Sequence, residues 1–345
     1  MSAELTTQDF ESILEFIIAL ARTAGDLILE GSDAIQSVTA SKDVNEKKNS
    51  VDLVTEYDVR VEELVKKELA QKYPTFKFIG EESYSAGSRP PLTDEPTFCV
   101  DPIAGVDGTT NFIHGFPFVC ISLGLIYKRR PVLGVIFNPF LNHLYTGIKG
   151  KSSYLIKGNG QPLKLPLSSP PKPLPSLSQA LIAVEWGSDR VEKTITSKSA
   201  SFGRLAGDAA QGVQGGKMAH SLRSMGSAAL NFAMVAQGGL DLYWEVGCWP
   251  WDVCAGIVIA EGAGGIVTGS HDVFSATSSG ASFGDITEEI LTGRKYIVVR
   301  AIGETEVSIA CNIAIFLTLR LPPGRDSEAS TKNESYRNFI PPSKM

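Results

Sequence analysis

The sequence predicts an α/β protein of two domains, and three observations support this prediction. Two segments with the apolar spacing of helices lie within the first 72 residues. From Thr97 onward, short apolar runs bounded by Gly, Pro or charged residues indicate buried strands. Beyond residue 180, strand-like and helix-like segments alternate, as they do in layered α/β folds. A chain of 345 residues also exceeds the ~150 residues typical of one domain.

The two N-terminal helices are predicted from their apolar stripes. Phe10 to Leu29 carries apolar side chains at steps of three and four residues, and Gly31 is expected to end this helix. Asp58 to Lys72 repeats the pattern, and the charged segment 41–50 between the two helices is predicted to be a loop. Later elements follow from the same kind of pattern: strands at 98–100, 119–127, 132–137, 180–184 and 240–245, a turn at 128–131, and helices at 227–237 and 253–262.

Proline content indicates where the chain divides. Residues 161–176 contain six prolines, which cannot continue the interior of a sheet. We therefore predict an N-terminal domain at 8–168, a C-terminal domain at 176–302 and an atypical, partly disordered tail at 303–345.

Composition excludes several classes of protein. With 43% hydrophobic and 20% charged residues, the chain is not a collagen, a coiled coil or a wholly disordered protein. A net charge of −6 argues against nucleic-acid and anionic-membrane partners, because both require basic surface. The apolar stretch 308–319 is shorter than the ~18–20 residues of a membrane span. Five cysteines without a CxxC pair, and no signal-like N-terminus, predict a reduced, cytoplasmic location.

Three carboxylates occupy positions where burial is expected. Glu81 follows an apolar strand, Asp101 follows another, and Asp252 lies between a tryptophan and an apolar helix. Burying such groups is costly unless a cation pairs with them. Oxygen ligands without clustered His or Cys favour Mg²⁺ over zinc. The alternative is that these acids are helix caps or loop residues. That alternative is common for a single acid, but it explains the group of acids less well.

A helix start is predicted at residue 107. Asp107 is a suitable N-cap, and the amides that follow it form the kind of site that binds phosphate. The hydroxyl of Thr109 or Thr110 could cap this helix or hold an attacking water, and residue type alone favours capping. His114 could be a general acid or base, although its aromatic surroundings favour a structural role.

Four motifs together resemble the inositol monophosphatase family, within the wider Mg²⁺-dependent, lithium-sensitive sugar-phosphatase superfamily. They are Asp-Leu-Val-Thr-x-x-Asp at 52–58, Gly-Glu-Glu-Ser at 80–83, Asp-Gly-Thr-Thr-Asn-Phe-x-His-Gly-Phe-Pro at 107–117 and Trp-Asp-x-x-Ala-Gly at 251–256. The resemblance runs from about residue 10 to about residue 300. It implies a five-layer αβαβα sandwich of the sugar-phosphatase type, a homodimer, and hydrolysis of myo-inositol monophosphate.

The resemblance also implies roles for individual residues. Thr109, helped by Asp58, would orient the nucleophilic water, and Glu81 would accept its proton. Lys47 would help to close the site and hold a further metal. The implied Mg²⁺ ligands are Glu81, Asp101, Asp107 and Asp252 with the backbone carbonyl of Ile103. The implied substrate contacts are Gly108, Thr109, Thr110, Gly226, Ser227, Ala228 and Glu245.

One departure from the family lies inside this site. Ala104, Gly105 and Val106 are inserted between two carboxylates that should share a metal. We expect the insert to loop out, with Gly105 permitting a tight turn; otherwise a carboxylate leaves the metals and the enzyme is weakened. The insert motivates one alternative to an inositol phosphatase, a catalytically weakened regulatory protein. Two further alternatives keep the chemistry but change the substrate: a related sugar or nucleotide phosphatase and a quinate-associated family member.

Overall fold

The computed structural model describes residues 4–37, 44–46, 53–104, 108–270 and 286–302. The helices in these ranges are α1 Thr7–Gln36, α2 Glu56–Lys72, α3 Glu81–Ser85, α4 Gly108–His114, α5 Glu192–Ala206, α6 Ala228–Gln237, α7 Pro250–Gly262 and α8 Glu288–Thr292. The strands are β1 Val44–Glu46, β2 Leu53–Thr55, β3 Lys77–Gly80, β4 Thr97–Asp101, β5 Ile121–Tyr127, β6 Arg130–Asn138, β7 His143–Ile148, β8 Tyr154–Lys157, β9 Leu163–Lys164, β10 Leu181–Val184, β11 Ser221–Arg223, β12 Leu242–Val246, β13 Ile266–Thr268 and β14 Lys295–Val299. All the predicted strands and helices are present, with shifted ends.

The larger sheet has seven strands in the order β3-β4-β5-β6-β7-β8-β9. β3 and β4 are parallel, and the remaining neighbours are antiparallel. Lys128 and Arg129 both have positive φ and form the tight turn between β5 and β6. The predicted turn at 128–131 is thus too long, because Arg130 and Pro131 already belong to β6.

The smaller sheet has five strands in the order β11-β10-β12-β14-β13. β11, β10 and β12 are parallel, so their carboxyl ends lie at the same edge of the sheet. β14 is antiparallel to both β12 and β13. The last strand of the larger sheet ends at Lys164 and β10 begins at Leu181, on either side of most of the proline-rich segment.

The helices and the two sheets form five layers, which confirms the expected αβαβα sandwich. α1 and α2 cover one face of the larger sheet, and α6 and α7 fill the space between the two sheets. The apolar residues of α5, including Leu205, pack on the outer face of the smaller sheet. Within the described ranges, no helix is both long enough and apolar enough to cross a membrane.

The first helix continues past the predicted stop at Gly31. It runs to Gln36, so that the prediction of an end at Gly31 is wrong. A side chain at Gly31 would place its Cβ 2.5 Å from the Tyr57 ring and 2.9 Å from Phe112. This glycine therefore permits close packing inside a helix and is not a terminator.

Candidate active site

Asp58 joins the start of α2 to the start of α4. Its Oδ2 accepts hydrogen bonds from the Thr55 amide at 2.8 Å and the Thr55 hydroxyl at 2.6 Å, completing the cap of α2. Its Oδ1 accepts a hydrogen bond of 2.9 Å from the hydroxyl of Thr109. Burial raises the pKa of Asp58 to about 6, against the opposing effect of the Thr55 hydrogen bonds. The Thr109 hydroxyl proton is thus directed at a fixed, buried acceptor.

Three carboxyl groups converge beside this pair. Glu81 is the first residue of α3, Asp101 the last of β4, and Asp252 lies in the first turn of α7. Burial raises the pKa of Asp101 well above its usual range, and the nearby Glu81 and Asp252 raise it further. Burial and the charge of Glu81 likewise raise the pKa of Asp252 to about 7. Burial is the main cause of both shifts and neighbouring carboxyl groups add to it, as expected for acids that share one low-dielectric space.

The cluster fits a hard divalent cation by its chemistry. All the side-chain donors are carboxylate oxygens, and their mutual repulsion would be relieved by positive charge among them. Within the described part of the chain, no three His, Cys, Asp or Glu side chains stand around one point at metal-ligand spacing. Asp107, the fourth predicted carboxylate, lies outside the described residues.

Glu62 of α2 holds the element that carries Glu81. Its carboxylate is 3% exposed and accepts hydrogen bonds of 2.7 Å from the amides of both Glu82 and Ser83. It also accepts a hydrogen bond from the Ser83 hydroxyl. These donors belong to the first turn of α3, where amides lack partners within the helix. Glu62 therefore fixes where α3 begins and where Glu81 points.

The two ends of the insert lie close together. A Cβ on Gly108, the first residue of α4, would be 2.6 Å from the Ile103 carbonyl oxygen, so the chain after the insert returns to the residue before it. Ala104 is buried, and its carbonyl accepts a hydrogen bond of 2.9 Å from Ser227. Residues 105–107 lie outside the described ranges. The closed ends favour the expectation that the insert loops out.

The predicted substrate wall at 226–228 is the start of α6. Ser227 caps this helix by accepting a hydrogen bond of 3.3 Å from Leu230, and Gly226 has a φ of +85°, which glycine readily adopts. Asn111 of α4 donates a hydrogen bond of 2.8 Å to the Met225 carbonyl. The Thr109 and Thr110 region is thereby tied to the predicted pocket wall.

Glu245 occupies an enclosed position at the end of β12. Its side chain is 0% exposed, and Oε1 accepts hydrogen bonds from Lys198 at 3.0 Å and from the Val246 amide at 2.8 Å. Glu185 lies at the neighbouring strand end, after β10. Sequence analysis missed both Lys198 and Glu185. The signal was present, because Glu185 follows a buried strand as Asp101 does, and Lys198 lies on the buried stripe of α5.

Other predictions have mixed outcomes. Cys99, Cys120, Cys248 and Cys254 are free and buried. His114 is exposed at the end of α4. Lys47 and the tail from 303 onward lie outside the described residues, as does most of the predicted loop at 41–50. The roles assigned to the site residues stay predictions.

Comparisons with known proteins identify the family of this chain. The model of the inositol monophosphatase family matches residues 9–298. Inositol monophosphatase 2 of Saccharomyces cerevisiae is 47% identical over 230 residues, 66% of this chain and 73% of the yeast protein. Quinic acid degradation cluster protein x of Neurospora crassa is 35% identical over 323 residues, 88% of this chain and 91% of the relative.

A solved structure shows the same fold. Inositol monophosphatase from Anabaena matches with a TM-score of 0.62 at 24% identity, over 89% of this chain and 98% of that chain. The five layers are thus the fold of this structure. The chain belongs to the inositol monophosphatase family.

Proposed function

We propose that this protein hydrolyses phosphate monoesters of cyclic polyols, with myo-inositol monophosphate as the first candidate and Mg²⁺ as the cofactor. The observation that carries the proposal is the Asp58–Thr109 hydrogen bond of 2.9 Å beside the carboxyl cluster of Glu81, Asp101 and Asp252. A hydroxyl polarised by Asp58, close to acids that would hold cations and accept a proton, supports the proposal.

Each residue of the proposed site has a separate role in the reaction. Because the Thr109 hydroxyl donates its hydrogen bond to Asp58, its oxygen is left to accept a hydrogen bond from the attacking water and to orient it. Glu81 accepts the proton that this water loses. The amides of Gly108, Thr109 and Thr110 donate to the phosphoryl oxygens. In-line attack forms the new P–O bond to the water oxygen and breaks the P–O bond of the ester, and the departing alkoxide takes a proton from solvent to leave as the alcohol.

The metal would be held by the oxygens that the site concentrates. Glu81, Asp101 and Asp252 are the described side-chain ligands, the Ile103 carbonyl is the backbone ligand, and Asp107 is the fourth carboxylate. Lys47 belongs to the loop proposed to hold a further metal. Bound Mg²⁺ supplies positive charge to the phosphoryl and leaving oxygens and makes water more acidic.

A phosphate-release assay tests the function directly. The substrates are inositol-1-phosphate, a bisphosphate nucleotide and fructose bisphosphate, each with and without Mg²⁺, and with Li⁺ added. We expect Mg²⁺-dependent, Li⁺-inhibited release that is fastest from inositol-1-phosphate. Faster release from the bisphosphate nucleotide or from fructose bisphosphate would indicate that this compound, and not inositol-1-phosphate, represents the substrate class. No release from any substrate would favour a regulatory protein.

A second candidate is a role in quinate breakdown. The quinate-cluster relative of Neurospora crassa aligns with 88% of this chain, whereas the yeast inositol monophosphatase aligns with 66%. A phosphate monoester of quinate, also a hydroxylated six-membered ring, belongs in the same assay. Preferential release from that ester would favour this candidate. A homodimer and a cytoplasmic location stay predictions, and analytical ultracentrifugation tests the first.

A further inference from the structure

Lys198 is a buried cation in the outermost helix layer. Its side chain is 4% exposed, on the same stripe of α5 as Leu205. The ammonium group donates hydrogen bonds of 2.8 Å to the carbonyls of Glu185 and Trp186, and one of 3.0 Å to Glu245 Oε1. An ammonium has three protons, so these acceptors satisfy it completely.

Glu245 lies on the face of the smaller sheet that looks toward the carboxyl cluster. Leu242 and Trp244 point to the outer core with α5, whereas Tyr243 points to the core between the sheets. Since side chains alternate along a strand, Glu245 shares the inner face with Tyr243. Lys198 thus reaches Glu245 across the carboxyl edge of the sheet, past the end of β10.

The two oxygens of Glu245 have different surroundings. Oε1 is held by Lys198 and by the Val246 amide. Oε2 lies 3.5 Å from the Tyr243 hydroxyl, which is a weak contact at best. Oε2 therefore retains acceptor capacity on the inner face of the sheet.

We propose that Lys198 is a positioning residue for substrate recognition, which fixes the orientation of Glu245 and keeps it a carboxylate that accepts a ring hydroxyl. This inference rests on the proposed function, in which Glu245 binds the hydroxyls of a cyclic polyol phosphate. A buried ion pair is weak support for stability, since apolar residues of similar size often serve as well. We therefore attribute the burial of Lys198 to its contribution to substrate binding.

The side chain of the neighbouring acid, Glu185, does not compete with Glu245 for the ammonium group of Lys198. Glu185 is fully buried, and neutral groups satisfy its side chain. Its donors are Ser224 Oγ at 2.8 Å, the Met225 amide at 2.9 Å, the Gly226 amide at 3.0 Å and Asn231 Nδ2 at 2.8 Å. The only hydrogen bond that Lys198 donates to Glu185 goes to the backbone carbonyl of Glu185. The same contacts hold the segment before Ser227, so Glu185 organises the predicted pocket wall.

The charge balance around Glu245 supports the need for a cation. The ionisable groups that face it are Lys198 of α5, Glu185 after β10, Tyr243 of β12 and Cys248 of the following loop. Burial raises the pKa of Glu245 to about 7; the attraction of Lys198 opposes this rise and the charge of Glu185 adds to it. Removing the cation would therefore favour the protonated acid at neutral pH.

The test compares Lys198→Met with Lys193→Met, an exposed lysine of the same helix. Each variant is assayed on the polyol monophosphate that the wild type hydrolyses best and on phenyl phosphate, which has no ring hydroxyls. We expect Lys198→Met to raise KM for the polyol ester by about tenfold, the scale of a lost hydrogen bond to a charged group. For Lys198→Met we expect kcat on the polyol ester and the kinetics on phenyl phosphate to change less than about twofold. The same limit applies to all values for Lys193→Met, because none of these quantities depends on the hydrogen bond to a ring hydroxyl.

Two further measurements distinguish positioning from simple structural damage. The acidic limb of the kcat/KM profile for the polyol ester should move to higher pH in Lys198→Met, and Lys198→Arg should restore it. In a Glu245→Gln background, Lys198→Met should add nothing, because Lys198 acts through Glu245. The double variant removes both charges of the buried pair, so comparing it with Glu245→Gln still tests the proposal if Lys198→Met alone does not fold.

The outcomes separate the inference from the function on which it rests. Equal loss on both substrates, an unchanged KM for the polyol ester, or an added effect in the Glu245→Gln background would overturn the role of Lys198 alone. A wild-type protein that releases phosphate from no polyol ester would overturn the proposed function and, with it, this inference.

Discussion

Asp58 serves two elements because each of its carboxylate oxygens has a different set of partners. Oδ2 completes the cap of α2 through Thr55, and Oδ1 receives the hydroxyl proton of Thr109 from α4. Fixing the carboxylate through the cap leaves Thr109 with one preferred hydroxyl orientation. The direction of the Thr109 hydroxyl proton is thus set by the start of a helix that lies elsewhere in the chain.

Removing the Thr109 hydroxyl tests this arrangement. Thr109→Val has nearly the same shape but cannot orient water, so we expect kcat to fall by about 100-fold, the scale of lost proton-transfer help. Thr109→Ser keeps the hydroxyl and should stay within a few-fold of the wild type. Steady-state phosphate release measures both variants. Equal activity of the valine and serine variants would contradict the role of the hydroxyl.

Single residues also show what sequence reasoning can and cannot reach. Asp101 and Asp252 could be selected because an acid beside an apolar run is unusual, and a family motif also contains Asp252. Glu185 follows a strand in the same way, but its partners come from residues 224–231, which the parallel strands bring to one edge. Lys198 is missed because a lysine within a helix usually faces water. Its burial depends on a partner 47 residues away in the chain.

At the scale of elements, close packing explains where the prediction of α1 was wrong. Glycine commonly ends helices, and a stop at Gly31 follows from that rule. The helix continues because its glycine admits the rings of Tyr57 and Phe112. The short strands β8, β9, β11 and β13 were not predicted, since two to four residues carry too little apolar pattern. Buried strands such as β4 and β5 were predicted because their apolar runs are nearly continuous.

A pair of glycine substitutions tests this packing. Gly31→Ala forces Tyr57 and Phe112 to move, and we expect it to lower the free energy of unfolding by about 1–3 kcal/mol. Gly203→Ala lies in α5 with no atom within 4 Å of the added Cβ, so the same change should be stabilising, by about 0.5–1 kcal/mol. Urea unfolding measures both variants. A neutral or stabilising Gly31→Ala would contradict the close contact.

The segment between β4 and α4 gives a second test at this scale. Deleting residues 104–106 restores the family spacing between Asp101 and Asp107. Because the ends of the insert already meet, we expect kcat and the Mg²⁺ concentration for half-maximal activity to change by less than about tenfold. A large gain in activity would mean that the insert displaces a ligand and that this protein is a weakened enzyme.

At the scale of the whole molecule, the five layers bring acids from separate elements into one buried space. The approach of β4, α3 and α7 is favourable only if the charges of Asp101, Glu81 and Asp252 are neutralised by protons or by cations. The alternating pattern predicted an α/β class, whereas the number of layers came only from resemblance. Periodicity identifies which faces of the elements are buried but does not say how the sheets stack.

Proton linkage gives a prediction for the metal-free protein. Burial raises the pKa of Asp58 to about 6 and of Asp252 to about 7, whereas an unfolded aspartate has a pKa of about 4. Between these values the folded state binds more protons than the unfolded state, so stability falls as pH rises. In EDTA we expect a higher Tm at about pH 5.5 than at about pH 7.5.

Adding Mg²⁺ at the higher pH should recover the lost stability, because the cation binds the folded state. Asp252→Asn removes one titrating carboxyl and should flatten the pH dependence without metal. Differential scanning fluorimetry follows all of these changes. A metal-free Tm that rises between the two pH values, or no response to Mg²⁺, would contradict the buried cation site.

The most direct test of the central claim is phosphate release from inositol-1-phosphate by the wild type and by Glu81→Gln across a Mg²⁺ titration. If the carboxyl cluster binds the metals and Glu81 accepts the proton, the wild type will be active only with Mg²⁺. The variant should lose at least about 100-fold in kcat at saturating metal. Mg²⁺-independent release by the wild type, or near-normal turnover by Glu81→Gln, would contradict the account.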